Sequence, residues 1–151
     1  MYSNDQYDEF IAKLHEKYPI MFSEKYGGID VDSGWWPIIE SLSSNIQHHI
    51  DSVAKTRQLL LKDNPWNRPI PEEVPPVVVE QIKEKFGGLR FYYSGGDEQV
   101  YGMVRMAESW ASKTCEVCGK PGESRSGGWI KTLCDEHEID RQNRMAARTT
   151  S

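Results

Sequence analysis

Cysteine is scarce in this chain, with three residues in 151, all between positions 115 and 134. So small and odd a number excludes a disulfide framework and turns attention to metal or thiol chemistry. Long apolar runs are missing too, since no uninterrupted stretch approaches the ~18 residues of a transmembrane helix. Positive net charge is also missing. Against 23 acidic side chains stand 18 basic ones, a formal charge of −5, which argues against a general nucleic-acid coat while leaving room for a local basic surface. The opening residues, Met1 to Glu9, lack the basic-then-apolar layout of a signal peptide, so a cytoplasmic location and no membrane partner are expected. Mean hydropathy is −0.66. Much of the apolar mass must therefore come from the five Trp, seven Tyr and four Phe.

The charge that is present is uneven. Residues 1–112 sum to −6 and residues 113–151 to +1. Helical spacing of Tyr7, Phe10, Ile11, Leu14 and Tyr18 predicts a helix over about Asp5–Tyr18, limited by Pro19. A second helix starts after Ser33-Gly34, with Ser33 and an early Pro37 as start signals. Trp36, Ile39, Leu42, Ile46, His49, Ile50 and Val53 form its stripe, which continues towards Leu59-Leu60-Leu61. Five of the eight prolines fall between Pro65 and Pro76, and mark an extended connector held on the body by Trp66, Ile70 and Val74. A third helix is expected over Val77–Phe86, stopped by Gly87-Gly88. A strand follows over Leu89–Tyr93, then a fourth helix over about Asp97–Ser112 that docks on the cysteine module. Glu24-Lys25-Tyr26-Gly27-Gly28-Ile29 echoes Glu84-Lys85-Phe86-Gly87-Gly88-Leu89. The echo reads either as a duplicated αβα unit whose strands pair, or as two helix stops that each recruit Gly.

The most specific chemistry is Cys115-x-x-Cys118-Gly119, followed by Cys134-x-x-His137. The spacing C-x2-C-x15-C-x2-H supplies the four sulfur and nitrogen donors that tetrahedral zinc prefers, from two short chelating turns. Gly119 permits the tight knuckle, and the intervening residues form a hairpin with Pro121-Gly122 and Gly127-Gly128 as turns. Trp129, Ile130 and Leu133 are its expected apolar support. The alternative, a redox Cys-x-x-Cys, usually sits at a helix start after a strand, whereas this pair follows a helix. Four protein donors close the coordination sphere, so one structural Zn2+ is expected and no catalytic residue is assigned. Asp135 and Glu136 read as neighbours of the site.

Other groups are less specific. His48-His49 offers a metal site or general base, or else one partly buried histidine beside an exposed one. Asp30 and Asp32 offer a carboxylate pair, or a solvated strand face. Arg90, Tyr92 and Tyr93, with Trp35, Trp36 and Trp129, carry groups that stack on bases or clamp phosphate, or that simply fill a core. Adjacent Trp35 and Trp36 point about a hundred degrees apart on a helix, so one is expected near solvent or a partner. Arg141, Arg144 and Arg148 share a helical face suited to phosphates or an acidic protein, or else form a solvated helix end. No His-Glu-x-x-His, P-loop or G-x-S-x-G pattern is present.

Lys83-x-Lys85-Phe86-Gly87-Gly88-Leu89-Arg90-Phe91-Tyr92-Tyr93, then C-x-x-C-G-x-P-G and G-W-x-x-T-L-C-x-x-H, resembles a family of small uncharacterised proteins of bacteriophages and prophage-bearing bacteria. Tyr18-Pro19-x-x-Phe22-Ser23-x-x-Tyr26-Gly27-Gly28 and Gly34-Trp35-Trp36-Pro37-Ile38-Ile39 fit it as well. The resemblance implies a mobile-element accessory protein in the cytoplasm of a bacterial host, acting on host machinery, and implies no reaction. The expectation is an α+β fold. A mainly helical body over 1–112, with its connector at 63–76 and a short sheet, carries a Cys3His zinc ribbon or knuckle over 113–140 and a basic tail over 141–151. The expected function is non-enzymatic binding of a host or phage protein, in the manner of counter-defence or host takeover. The alternatives are nucleic-acid binding through Trp129, the zinc module and the arginine tail, and capture of a small nucleotide at Arg90.

Overall fold

The computed structural model describes residues 2–23 and 26–150. The fold is α+β, with four α-helices, a three-stranded sheet and a two-stranded one. Helix α1 (Asn4–Lys17) starts at a capping box in which Ser3 and Gln6 bond each other's backbone N–H. It buries Phe10 and Leu14, and the turn after it buries Tyr18, Met21 and Phe22. Strand β1 (Ile29–Asp30) leads to a 3-10 turn (Ser33–Trp35) capped by the Asp32 carboxylate. Helix α2 (Trp36–Lys62) follows directly, with Pro37 in its first turn. Its stripe sinks Ile39, Leu42 and Ile46, together with Ile38, while Leu59 and Leu61 remain exposed.

Residues 77–86 are not a helix. They form strand β2 (Val78–Lys85), which pairs antiparallel with β3 (Gly88–Ser94) across a turn at Phe86 and Gly87. Both turn residues have positive φ, 53° and 77°, the signature of a two-residue hairpin turn rather than a helix stop. The register shifts between Val79 and Gln81, leaving Glu80 as a bulge. That extra residue puts Val79 and Ile82, three apart, on one buried face, and so imitates helical spacing. The β-branched run Val77-Val78-Val79 after two prolines is the competing signal, and it prevails.

β1 lies parallel to β2, with Ile29 opposite Ile82, so the sheet order is β1-β2-β3. The strands that follow the two Gly-Gly echoes therefore do not pair with each other. The second copy is preceded by a strand, and Glu24 and Lys25 of the first lie outside the described residues. Helix α3 (Glu98–Ala111) buries Val100, Val104, Ala107 and Ala111. It packs on α2 and β3, and among the described residues no comparable packing on β4, β5 or α4 is present; its Glu108 carboxylate accepts the Phe91 N–H of edge strand β3 at 3.1 Å. The connector is extended as expected and is tied down by Val74, by Arg57 donating to the Pro71 carbonyl and by Gly96 donating to that of Pro75. Trp66 and Ile70 are exposed rather than pinned to the body.

His49 is the half-buried member of its pair, and its Nε2 lies 2.8 Å from Asp97 Oδ2. The same carboxylate caps α3 by accepting the Val100 N–H at 3.0 Å. Burial alone would raise the Asp97 carboxyl; the His49 bond and the Val100 and Gln99 N–H groups outweigh it and hold it below its ordinary value. A depressed carboxylate stabilises the fold fully above the unfolded-state value near ~4, and that contribution is lost as pH falls through the lower folded-state value. Asp97→Asn keeps a capping oxygen and loses the charge. Urea titrations from neutral pH to pH ~3 should show the wild-type advantage over this variant shrinking below pH ~4. The advantage should stay below about 1 kcal/mol, because Asp97 is 37% exposed and screened.

Candidate metal centre

Three short backbone devices deliver the four donors. After α3 the chain closes a knuckle in which Cys115 N–H donates to the Lys120 carbonyl and Gly119 N–H to that of Cys115, at 2.8 and 2.9 Å. Gly119 adopts φ 79°, which a side chain would disfavour. Strands β4 (Glu123–Arg125) and β5 (Lys131–Leu133) form the expected hairpin. Cys134 is the N-cap of α4 (Asp135–Thr149), and His137 lies in that helix's first turn. The cap therefore aims one sulfur and one imidazole at the knuckle.

The donor atoms of Cys115, Cys118, Cys134 and His137 all lie within 4.8 Å of one another. Cys118 Sγ is 3.8 Å from Cys134 Sγ, and His137 Nδ1 is 3.6 Å from Cys115 Sγ and 3.2 Å from Cys134 Sγ. A tetrahedral ion with sulfur at about 2.3 Å and nitrogen at about 2.0–2.1 Å needs edges of about 3.8 and 3.6 Å. The set fits a metal, and none of the cysteines is in a disulfide. Burial pushes the Cys115 thiol up, but backbone N–H groups of Cys134, Cys118 and Val117 facing its sulfur outweigh this and lower it. Cys118 is raised by burial and by the two neighbouring thiols, against the Lys120 N–H. Three sulfurs this close favour a shared cation over three separate thiols.

The module is fastened to the body by groups that the ligand spacing does not reveal. Trp35 Nε1 donates to the Thr114 carbonyl at 2.9 Å, and Gly34 N–H to the Glu116 carbonyl at 2.7 Å. A Cβ at Gly34 would overlap the Cys115 and Glu116 carbonyls, so only glycine admits this approach. Thr132 Oγ1 donates to the Gly87 carbonyl at the β2–β3 turn, at 2.6 Å. Glu116, between the two knuckle cysteines, is buried and accepts the Asp32 N–H at 3.0 Å. Burial pushes its carboxyl up, partly offset by that N–H and by Lys131.

The other expected site residues scatter. Trp35 is wholly buried, so it belongs to the core and not to a partner surface. Trp36 is half-buried and stacks on Phe10 at 4.6 Å beneath Tyr2. Arg90 and Tyr92 share the solvent-facing side of the hairpin. Trp129 is exposed, its Nε1 3.4 Å from Glu84, and Ile130 is exposed too, so of the three expected apolar supports Leu133 alone is buried at the knuckle. Arg141 is not an unmatched cation: it pairs with Glu138 at 2.9 Å and donates to the Ser126 and Trp129 carbonyls, holding the β4–β5 loop. Arg144 and Arg148 are exposed on α4, which runs unbroken from the module into the tail. Asp135 pairs with Arg125 at 2.7 Å and Glu136 with Lys120 at 3.8 Å. Asp30 and Asp32 do not share a strand face, since Asp32 caps the 3-10 turn.

The sequence readings missed a concavity between two of the helices. A cleft of about 440 Å³ lies between α2 and α3, lined by Ile38, Leu42, Met103, Met106 and Trp110 among others, with no charged residue. Met106 and Trp110 stand on it 70% and 49% exposed. Among the described residues, no helix is long and apolar enough to cross a membrane. Comparison with family models, with curated proteins and with solved structures finds no match to the chain.

Proposed function

We propose that the chain is a zinc-held, non-enzymatic binding protein that takes an apolar ridge of a protein partner into the α2–α3 cleft. The observation that carries this reading is the cleft itself: two helices, an uncharged lining, and an exposed Met and Trp at its mouth. Unbranched Met side chains adapt to a partner's ridge and Trp anchors it, the usual chemistry of a helix received in a groove. Three thiolates and one imidazole are the donor set that favours Zn2+. Saturation by protein donors gives it a structural role. The phage or prophage setting, with a host or phage protein as partner, rests on the sequence resemblance alone.

Met106 is mostly exposed, so Met106→Glu should fold normally while placing a charge at the cleft mouth. Tagged protein incubated with extract of a bacterial host should retain a discrete protein in ~0.5 M salt, where screening leaves apolar contacts dominant. The Met106→Glu variant should lose at least 10-fold of it. Equal retention by the two proteins refutes the cleft as the site, and retention of nothing refutes the reading.

A further inference from the structure

The hairpin that carries the module's second attachment has another face. In β2 and β3, Ile82, Leu89 and Phe91 point into the core. Register places Lys83 directly opposite Arg90, Gln81 opposite Tyr92 and Lys85 opposite Gly88, so these side chains share the outward face. Gly88 leaves the space over which the Arg90 guanidinium lies, 3.2 Å from where a Cβ would stand. The guanidinium is thereby turned towards Lys85 and the hairpin tip. Two of the cations already lie against rings, Lys83 5.4 Å from the Tyr92 centroid and Lys85 5.8 Å from that of Phe86. Tyr92 and Phe86 are 40% and 68% exposed.

Like charges directly opposite one another destabilise a sheet. Here the usual compensation is missing. Among the described residues, no carboxylate lies within ion-pair distance of Lys83, Lys85 or Arg90, although Lys131, on the neighbouring β5, pairs with both Glu84 and Glu116. Asp30, the register neighbour of Lys83 on β1, is exposed and forms no such pair. In a body whose net charge is −6, three uncompensated cations on one short sheet face are the reverse of what composition would produce.

We propose that this face binds single-stranded nucleic acid, with Lys83, Lys85 and Arg90 on phosphates and Tyr92 and Phe86 stacking on bases. The cations are complementary to a phosphate backbone, and the interleaved rings offer the sequence-tolerant stacking that single strands require. A duplex hides its base faces and presents two phosphate rows to a surface too small to follow them. The hairpin is about 20 Å long, enough for a short run of nucleotides. This site is independent of the α2–α3 cleft and of its protein partner.

The test is fluorescence anisotropy of the zinc-loaded full chain with labelled 12-nucleotide oligothymidylate and oligouridylate. Binding is expected at 25 mM salt, with log K falling against log salt at a slope of about −2 for three phosphate contacts. Lys83→Gln with Arg90→Gln should weaken binding at least 10-fold and bring the slope to about −0.7. Tyr92→Ala should weaken it about 5-fold or more. Arg144→Gln, on α4, should bind as wild type, and unchanged circular dichroism and zinc content certify each fold. Absence of binding at 25 mM salt overturns the proposal. Equal affinity for a duplex, a Tyr92→Ala variant that binds fully, or a loss confined to Arg144→Gln overturns it as well.

Discussion

Cys134→Ser should release the metal and unfold the module while leaving the body standing. Wild-type protein prepared without chelator should carry about one equivalent of zinc by elemental analysis, and a value below about half an equivalent refutes the assignment. The variant should carry almost none. The expected effect is large because little else holds residues 113–149 together. Their own buried cluster is Cys115, Leu133 and Cys134 with Val117 packed against it. Burying one leucine contributes roughly 1.5–3 kcal/mol, whereas a structural zinc contributes on the order of 10 kcal/mol of folding free energy at neutral pH. Hydrogen exchange reads the outcome region by region. Amides of the knuckle, β5 and the first turn of α4 should lose protection by several orders of magnitude, and those of α2, β2 and β3 should keep theirs. A strong chelator should reproduce this pattern in the wild type and change nothing in the variant. Retained protection in metal-free protein would show that the body contacts alone fold the module.

The clustering of the four donor residues was legible in the sequence because chelating spacing is local. Two thiols two residues apart, and a thiol and imidazole two residues apart, meet one ion almost whatever surrounds them. The helices α1, α2 and α3 were legible for a similar reason, their apolar residues recurring with the helical period over several turns. What failed was non-local. Ile82 falls three residues after Val79 because Glu80 is bulged out, and without a partner strand that bulge is indistinguishable from a helical step. Trp35 and Trp36 diverge on the chain, and which one is buried is decided by long-range packing of the core, with Trp35 Nε1 reaching Thr114, 79 positions away. Arg141 has a local partner in Glu138, three residues before it, and beyond that two carbonyls of the β4–β5 loop that only the folded chain brings to it. The cleft between α2 and α3 has no motif, since it is made by two elements that leave a space between them.

Trp35→Ala should be the most damaging change in the body and should also free the module from it. The indole is 0% exposed, and truncating a buried Trp to Ala costs about 3–5 kcal/mol through lost burial and the cavity left behind. Two consequences separate because the indole has two attachments. Its rings belong to the main core, formed by all the major elements of the body. Its Nε1 alone reaches across to the Thr114 carbonyl, one residue before Cys115, the first of the four clustered donors. Trp35→Phe therefore divides the effects, keeping most of the apolar bulk and removing the hydrogen-bond donor. For Trp35→Ala, urea unfolding should lower the midpoint strongly, with zinc still bound in the fraction that folds. For Trp35→Phe the loss should be about 1–3 kcal/mol, the cost of leaving a buried carbonyl without its donor together with some repacking. Hydrogen exchange in this variant should quicken at Cys115 and Gly34, where the two parts meet, before it quickens in β2 or β3. Equal losses for the two variants would mean that the bond to Thr114 carries the whole effect. No loss for Trp35→Phe would mean that Gly34, Asp32 and Thr132 hold the module unaided. The intermediate outcome is the one expected from a side chain that fills the core with its rings and ties the metal centre with one atom.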